Sequence, residues 1–167
     1  MKCTLWCSRL VWILCCAAWL GMQADYVTAA EGMYALELVQ RSKNVVLRSF
    51  PLSSGAEFTV AYTHSSDHTP VVDRFQITPQ GNILLLEEAF AWYGAGLAFH
   101  PHEDIDTSQG WSRTYPQRIM DPFYLRIGRV AGHTLHIRNQ TIALLDIAPG
   151  GTCLWIRARA QGESSHD

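Results

Sequence analysis

The sequence has almost no cysteine outside its first sixteen residues. Four of its five cysteines lie within that stretch, and only Cys153 lies beyond it. One cysteine cannot form an intramolecular disulfide, so the rest of the chain must fold without such a cross-link. Because Cys153 lies in an apolar stretch, Thr152–Ile156, we interpret it as a small core residue rather than a reactive thiol.

Charged residues are also scarce, and neither sign prevails. Only 17% of the 167 residues are charged, 48% are hydrophobic, and the formal net charge is −2. Binding to nucleic acid requires a basic surface, so this balance argues against a nucleic acid partner. The absence of a long basic run argues against a polybasic membrane-binding segment. The length and apolar content are sufficient for one domain with a packed core.

No apolar run is long enough for a comfortable membrane span. The longest, Leu10–Met22, has thirteen residues, whereas a membrane-spanning helix needs about 20. Lys2 and Arg9 precede this run, and small residues follow from Ala24 onward, an order that is typical of a secretory signal peptide. We predict that residues 1–30 are an export signal helix, with an uncleaved membrane anchor as the alternative.

Sustained helical periodicity is missing beyond residue 30. The chain instead contains short runs in which apolar and polar residues alternate, separated by turn-forming stretches such as Thr78–Asn82 and Pro149–Gly151. This pattern is typical of an all-β protein. We predict a single antiparallel β-domain over residues 31–160, either a sandwich or a partly closed barrel of about nine or ten short strands. A polar tail follows at residues 161–167.

The most informative stretch is a predicted hairpin from Glu57 to Ile77. Both of its strands alternate with period two, and turn-forming residues lie between them. If His64 lies opposite Val71, then Tyr62 lies opposite Asp73 and the apolar sides of the strands coincide. His64 and Asp73 are then diagonal neighbours on that side. A polar pair on a core-facing side must be hydrogen-bonded or reached by water, so this pattern predicts a polar site.

Three short blocks of sequence resemble one bacterial family. They are Tyr62-Thr63-His64-Ser65, Gly94-Ala95-Gly96-Leu97 and Arg129-Val130-Ala131-Gly132-His133. Their order and spacing are similar to those of the family named domain of unknown function eighteen-fifty, over roughly residues 35–157. The chain departs from that pattern at Asp73, where glutamate is usual, which shortens the reach of the carboxylate by one methylene.

The resemblance implies a small exported protein that resides in the periplasm or faces the membrane. Members of the family are often encoded beside tripartite ATP-independent periplasmic (TRAP) transporters of the TAXI type. The resemblance therefore implies an accessory role in solute transport, with transporter subunits as partners. It implies no established reaction.

The residues that we assign to a ligand-binding site come from these blocks and from the hairpin. They are Tyr62, His64, Ser65, Asp73, Gly94, Gly96 and His133. Aromatic walls with few polar groups suit a small organic solute, so a periplasmic binding protein is the second hypothesis. An enzyme is not predicted, because neighbours on a strand point to opposite sides and no Gly-x-Ser-x-Gly turn exposes Ser65.

Ligand-type side chains are also dense from His100 to Asp106. Two histidines at positions i and i+2 of an extended loop can bind one transition metal, so a metal-dependent hydrolase using His100, His102 and Asp104 is a third hypothesis. Their spacing matches no defined metal motif. A solvated acidic loop is the favoured interpretation, and we predict neither a metal nor another cofactor.

Overall fold

The structure, a computed structural model, describes residues 33–91 and 105–161. All of these residues belong to one compact unit. The predicted signal helix, the Gly94–Gly96 block and the histidines of the predicted acidic loop lie outside the described residues. The described part of the chain includes no helix that is both long and apolar enough to cross a membrane.

Eleven strands and one short 3-10 helix, Leu144–Asp146, form from the described residues. The strands are β1 (Met33–Gln40), β2 (Val45–Ser53), β3 (Glu57–Thr63), β4 (Pro70–Ile77), β5 (Ile83–Phe90), β6 (Ser112–Thr114), β7 (Arg118–Ile119), β8 (Phe123–Arg126), β9 (Thr134–Ile137), β10 (Gln140–Ala143) and β11 (Cys153–Ala160).

The strands form two antiparallel sheets. The small sheet has the order β2-β1-β11-β8, and the large sheet has the order β10-β9-β3-β4-β5-β6, with the two-residue β7 also paired to β5. Neither sheet closes into a barrel. The all-β prediction is therefore confirmed, and of its two alternatives the sandwich is the observed one.

The inner sides of both sheets supply one hydrophobic core. Leu36 and Leu154 of the small sheet are fully buried, as expected for positions that alternate with outward-facing ones. Phe58 and Phe75 stack side by side in the large sheet, with ring centroids 5.1 Å apart. Phe123 of the small sheet contacts Phe75 at 4.8 Å and so joins the two layers.

The β3–β4 hairpin exists, but its predicted register is wrong by two residues. Tyr62 lies opposite Val71, and Val60 lies opposite Asp73. A shift by an even number of residues leaves every side chain on its predicted side, so the apolar sides of β3 and β4 still coincide. The turn closes earlier than predicted, because the backbone N–H of His64 donates to the carbonyl of Thr69 at 2.8 Å. Pro70 then pairs with Thr63 as the first residue of β4, a strand position where proline is tolerated.

Cys153 is half-buried on the outer side of the small sheet rather than in the core. The core position beside it is filled by Leu154, which is fully buried. Because successive residues of a strand point to opposite sides, Leu154 inside places Cys153 outside. The interpretation of this cysteine as a core residue is therefore wrong.

Candidate functional site

His64 belongs to a local network in the β3–β4 turn. Its Nδ1 atom lies 3.0 Å from Oδ1 of Asp67 and 3.0 Å from Oγ of Ser66. The same Asp67 oxygen accepts a hydrogen bond from the backbone N–H of Thr69. Burial opposes ionisation of Asp67, but the hydrogen bonds from Thr69 and His64 hold its pKa below the ordinary value. The predicted neighbour relation between His64 and Asp73 is wrong, because the register places His64 beyond the last residue pair.

A row of polar side chains crosses the inner side of the large sheet. Asp73 lies directly opposite Glu88 in the β4–β5 pair, and Glu88 lies directly opposite Thr114 in the β5–β6 pair. Tyr62 on β3 is the diagonal neighbour of Asp73. We call these four residues (Tyr62, Asp73, Glu88 and Thr114) the acidic row. It faces the core because Asp73 alternates with buried side chains on either side of it along β4.

A β-bulge selects which glutamate joins this row. The register of β4 and β5 shifts between Arg74 and Phe75, so Glu88 rather than Glu87 lies on the inner side. Glu87 lies on the outer side, where it forms ion pairs with Arg74 at 2.8 Å and with Arg113 at 3.0 Å. Two adjacent carboxylates are therefore in different environments, one between arginines and one facing another carboxylate.

The acidic row has perturbed electrostatics. Burial, followed by the facing carboxylate of Glu88, raises the pKa of Asp73 to about 7. Burial, followed by the charges of Asp73 and Glu88, raises the pKa of Tyr62 above its ordinary range. Asp73 is therefore close to half-protonated at neutral pH, while Tyr62 remains a neutral phenol. A pair of this kind can be stabilised by a proton or by a bound cation.

Thr114 brings an unsatisfied oxygen to the same row. Its side chain is fully buried, and Oγ1 has no hydrogen-bond partner among the described residues. A buried polar atom left without a partner costs about 1–3 kcal/mol. Cross-strand pairing with Glu88 places this hydroxyl on the side of the sheet that carries the carboxylates.

The third family block packs against the end of β3 and holds Tyr62. Ala131 accepts a hydrogen bond from the backbone N–H of Thr63 at 2.7 Å. The ring of His133 stacks on the ring of Tyr62, with centroids 5.2 Å apart. Nδ1 of His133 accepts a hydrogen bond from the N–H of Gly128, and burial lowers the pKa of His133. The block therefore provides a neutral imidazole that fixes one wall of the acidic row.

Some of the assigned site residues come together and others do not. Tyr62 and Asp73 lie in the acidic row, and His133 contacts that row through Tyr62. His64 belongs to the turn, and Ser65 is exposed there, while Ser66 contacts His64 instead.

Glycines 94 and 96, and the three metal candidates at positions 100, 102 and 104, lie outside the described residues. The sequence analysis did not predict Glu88 or Thr114 as site residues. The pair of glutamates that interrupts the apolar run of β5 was the pattern that could have indicated Glu88.

The acidic row can take part in binding or in proton transfer. Its two carboxylates and its hydroxyls can accept hydrogen bonds or hold a proton. Ser65, the nucleophile that the sequence offers, is exposed in the turn instead of lying in the row. Over residues 33–91 and 105–161, no three His, Cys, Asp or Glu side chains are grouped as a metal site.

A second feature lies on the outer side of the small sheet. The rings of Tyr124 and Trp155 are 6.3 Å apart, Arg41 lies 4.4 Å above the ring of Tyr124, and Arg157 lies 4.6 Å above the ring of Trp155. We call these four residues the aromatic–arginine face. Arg157 also pairs with Glu37 at 2.8 Å. Nε1 of Trp155 is buried, and the described part of the chain gives it no hydrogen-bond partner.

A cavity of about 400 Å³ opens elsewhere, beside Tyr34 and Gly81. Its charged lining residues are Asp121, Arg157 and Arg159. Arg157 is already engaged by a carboxylate on the outer side of the small sheet. The acidic row brings two carboxylates face to face and raises the pKa of Asp73, so it is the stronger candidate site.

Comparison with known proteins identifies one family. The family model described as Domain of unknown function (DUF1850) matches residues 58–144. This span contains the complete acidic row and His133, whereas Arg41, Trp155 and Arg157 lie outside it. Neither the curated proteins nor the solved structures gave a match.

Proposed function

The chain belongs to the DUF1850 family, and we propose that it is an exported, non-enzymatic accessory domain of a periplasmic solute transport system of the TRAP TAXI type. The predicted signal segment supports export. The resemblance of the three sequence blocks supports the association with transporters. Ser65, the nucleophile that the sequence offers, is exposed in the β3–β4 turn and not part of the acidic row, which supports binding rather than catalysis.

The observation that carries this proposal is the aromatic–arginine face. Trp, Tyr and Arg are the residues that contribute most to protein–protein affinity. Here they are already held in place by contacts between cations and rings at 4.4 and 4.6 Å. Among the described residues on this side of the small sheet, Arg41, Arg157 and Arg159 outnumber the carboxylate of Glu37 that pairs with them. We therefore assign the face to an acidic surface patch on a transporter subunit.

The test is co-purification of the tagged full chain with the subunits of a TAXI-type transporter. Tyr124 is 43% exposed, and we expect Tyr124→Ala to weaken the association about tenfold, as loss of an interface aromatic typically does. The matched control is Tyr115→Ala, which removes an aromatic ring of similar exposure, 48%, that lies outside the face. If the tagged chain does not associate with any transporter subunit, and solute uptake is unchanged in a deletion strain, the proposal is wrong.

A second function, binding of a small organic solute, is favoured by the acidic row. Asp73 and Glu88 face each other, and both are only partly shielded from solvent. Two carboxylates repel an anion, so the row disfavours an organic acid and favours a cationic or neutral solute. Such binding is compatible with the accessory role, because a transport accessory protein can contact both the solute and the transporter.

A further inference from the structure

We propose that the acidic row binds the ammonium group of a small organic amine, an inference that rests on the solute-binding function and names its ligand class. The ammonium group would lie between the carboxylate of Asp73, the carboxylate of Glu88 and Oγ1 of Thr114. No bond is made or broken, and the protein acts as a receptor for the cation.

The number and placement of acceptors match this ligand. A primary ammonium group has three N–H donors. Asp73, Glu88 and Thr114 are successive partners across three strands, and directly opposed side chains have Cβ atoms about 5 Å apart. The row therefore offers three acceptors on one side of the sheet.

Thr114 is the independent observation that indicates a ligand. It is fully buried, and its hydroxyl has no hydrogen-bond partner in the part of the chain that the structure describes. Buried hydroxyls in folded proteins are normally hydrogen-bonded, so this one requires an explanation. An ammonium donor would satisfy it and would at the same time favour the ionised form of Asp73.

Two arginines of the neighbouring described residues are engaged elsewhere. Arg74 and Arg113 lie on the outer side of the sheet, where they pair with Glu87. Within the described residues, Asp73 forms no ion pair with a lysine or an arginine. A bound cation would favour the ionised form of Asp73. Without a cation, the raised pKa means that this carboxyl tends to retain its proton.

The surroundings favour an organic amine over a metal ion. Calcium takes about six to eight oxygen ligands, more than this row supplies. The ring of Tyr62, fixed by its stack with His133, forms an aromatic wall beside the carboxylates. Such a wall suits the carbon atoms next to an ammonium group. Partial exposure of Asp73 and Glu88 leaves a route for the amine.

Proton competition adds a pH dependence. Among the described residues, the titratable groups that face Asp73 are Glu88 from β5 and Tyr62 from β3, and β6 contributes Thr114, which does not titrate. Because the pKa of Asp73 is raised to about 7, binding an ammonium group displaces a proton from this carboxyl below neutral pH. Affinity should therefore rise between about pH 6 and about pH 8 and level off above that range.

The test is isothermal titration calorimetry on the full chain with three probes of similar size: n-butylammonium, butyrate and n-butanol. We expect heat from n-butylammonium alone, with affinity higher at pH 8 than at pH 6. Asp73→Asn and Thr114→Val should each weaken binding about tenfold, the effect of losing one hydrogen bond to a charged group. Asp146→Asn, the same change at an exposed position, should not affect it.

A stability measurement separates a binding role from a purely structural one. Thr114→Val replaces the unpartnered hydroxyl by a methyl group, so it should leave the unliganded protein as stable as the wild type or more stable, while weakening n-butylammonium binding. Loss of stability without n-butylammonium would overturn the assignment of Thr114 as an acceptor for a ligand.

The three probes also distinguish failure of the ammonium ligand from failure of the solute-binding function. Binding of butyrate or n-butanol but not of n-butylammonium, abolished by Asp73→Asn, would retain the solute-binding function and overturn the ammonium ligand. A parallel titration with Ca²⁺ that gives heat, while n-butylammonium gives none, would also overturn it. No binding of any probe at millimolar concentration would overturn both.

Discussion

Replacing Asp73 by asparagine should stabilise the protein at neutral and alkaline pH but not at acidic pH. Burial, followed by the facing carboxylate of Glu88, raises the pKa of Asp73 from 3.8 to about 7. Below 3.8 the carboxyl is protonated in both the folded and the unfolded state, so it imposes no pH-dependent cost. As the pH rises toward 7, the unfolded state releases the proton more readily, and the free energy of unfolding falls.

The size of this effect follows from the raised pKa. The difference from the ordinary value spans about three pH units, and each unit corresponds to about 1.4 kcal/mol, so the cost above pH 7 is at most about 4 kcal/mol. Asparagine has nearly the same shape as a protonated aspartic acid and cannot ionise. Asp73→Asn should therefore recover much of this cost at about pH 8 and almost none at about pH 4.

Urea unfolding of the full chain across this pH range measures the effect directly. Asp146→Asn is the matched control, because it makes the same chemical change on an exposed side chain and should show no such pH-dependent gain. If Asp73→Asn destabilises the protein at alkaline pH, the carboxylate is stabilised by a cationic partner and the facing of Asp73 and Glu88 is refuted. A gain in the free energy of unfolding that does not change with pH would also contradict the proposed link between stability and the ionisation of Asp73.

Two further predictions concern a tight turn and the half-buried His133. Gly81 and Gly55 both have φ of +80°, but only at Gly81 would a Cβ atom meet a neighbour, Cε1 of Tyr34 at 2.5 Å. Gly81→Ala should therefore lower the free energy of unfolding by about 1–3 kcal/mol more than Gly55→Ala, and equal losses would contradict the contact. NMR titration of His133 should give a pKa below 6.5, with the proton on Nε2, because burial disfavours the charged ring and Gly128 donates to Nδ1. The stability from neutral His133 is then complete above pH 6.5 and lost as the pH falls through the folded pKa, whereas a pKa above 6.5 would contradict its burial.

Local patterns in the sequence were sufficient to predict most of the strands. Alternation such as that of Phe58 and Val60 reports which side of a strand faces the core, and this information does not depend on partners. The two-residue β7, Arg118–Ile119, could not be predicted, because so short a strand has no period. Its existence depends on pairing with β5.

The candidate site was only partly predictable. Tyr62 and Asp73 were identified because both lie on the apolar side of one local hairpin. Regular alternation along β5 would have placed Glu87 inside with Leu85, but the bulge places Glu88 there instead. Thr114 joins the row only through pairing between strands separated by more than twenty residues, and no local pattern encodes that contact.

The most direct test of the acidic row is an NMR titration of the Asp73 carboxyl carbon in the wild type and in Glu88→Gln. We expect a pKa of about 7 in the wild type. In Glu88→Gln it should be lower, because the like charge is removed, yet remain above 3.8, because burial is the larger cause. A wild-type pKa near 3.8, or one that Glu88→Gln leaves unchanged, would contradict the row of facing carboxylates on which the binding proposal rests.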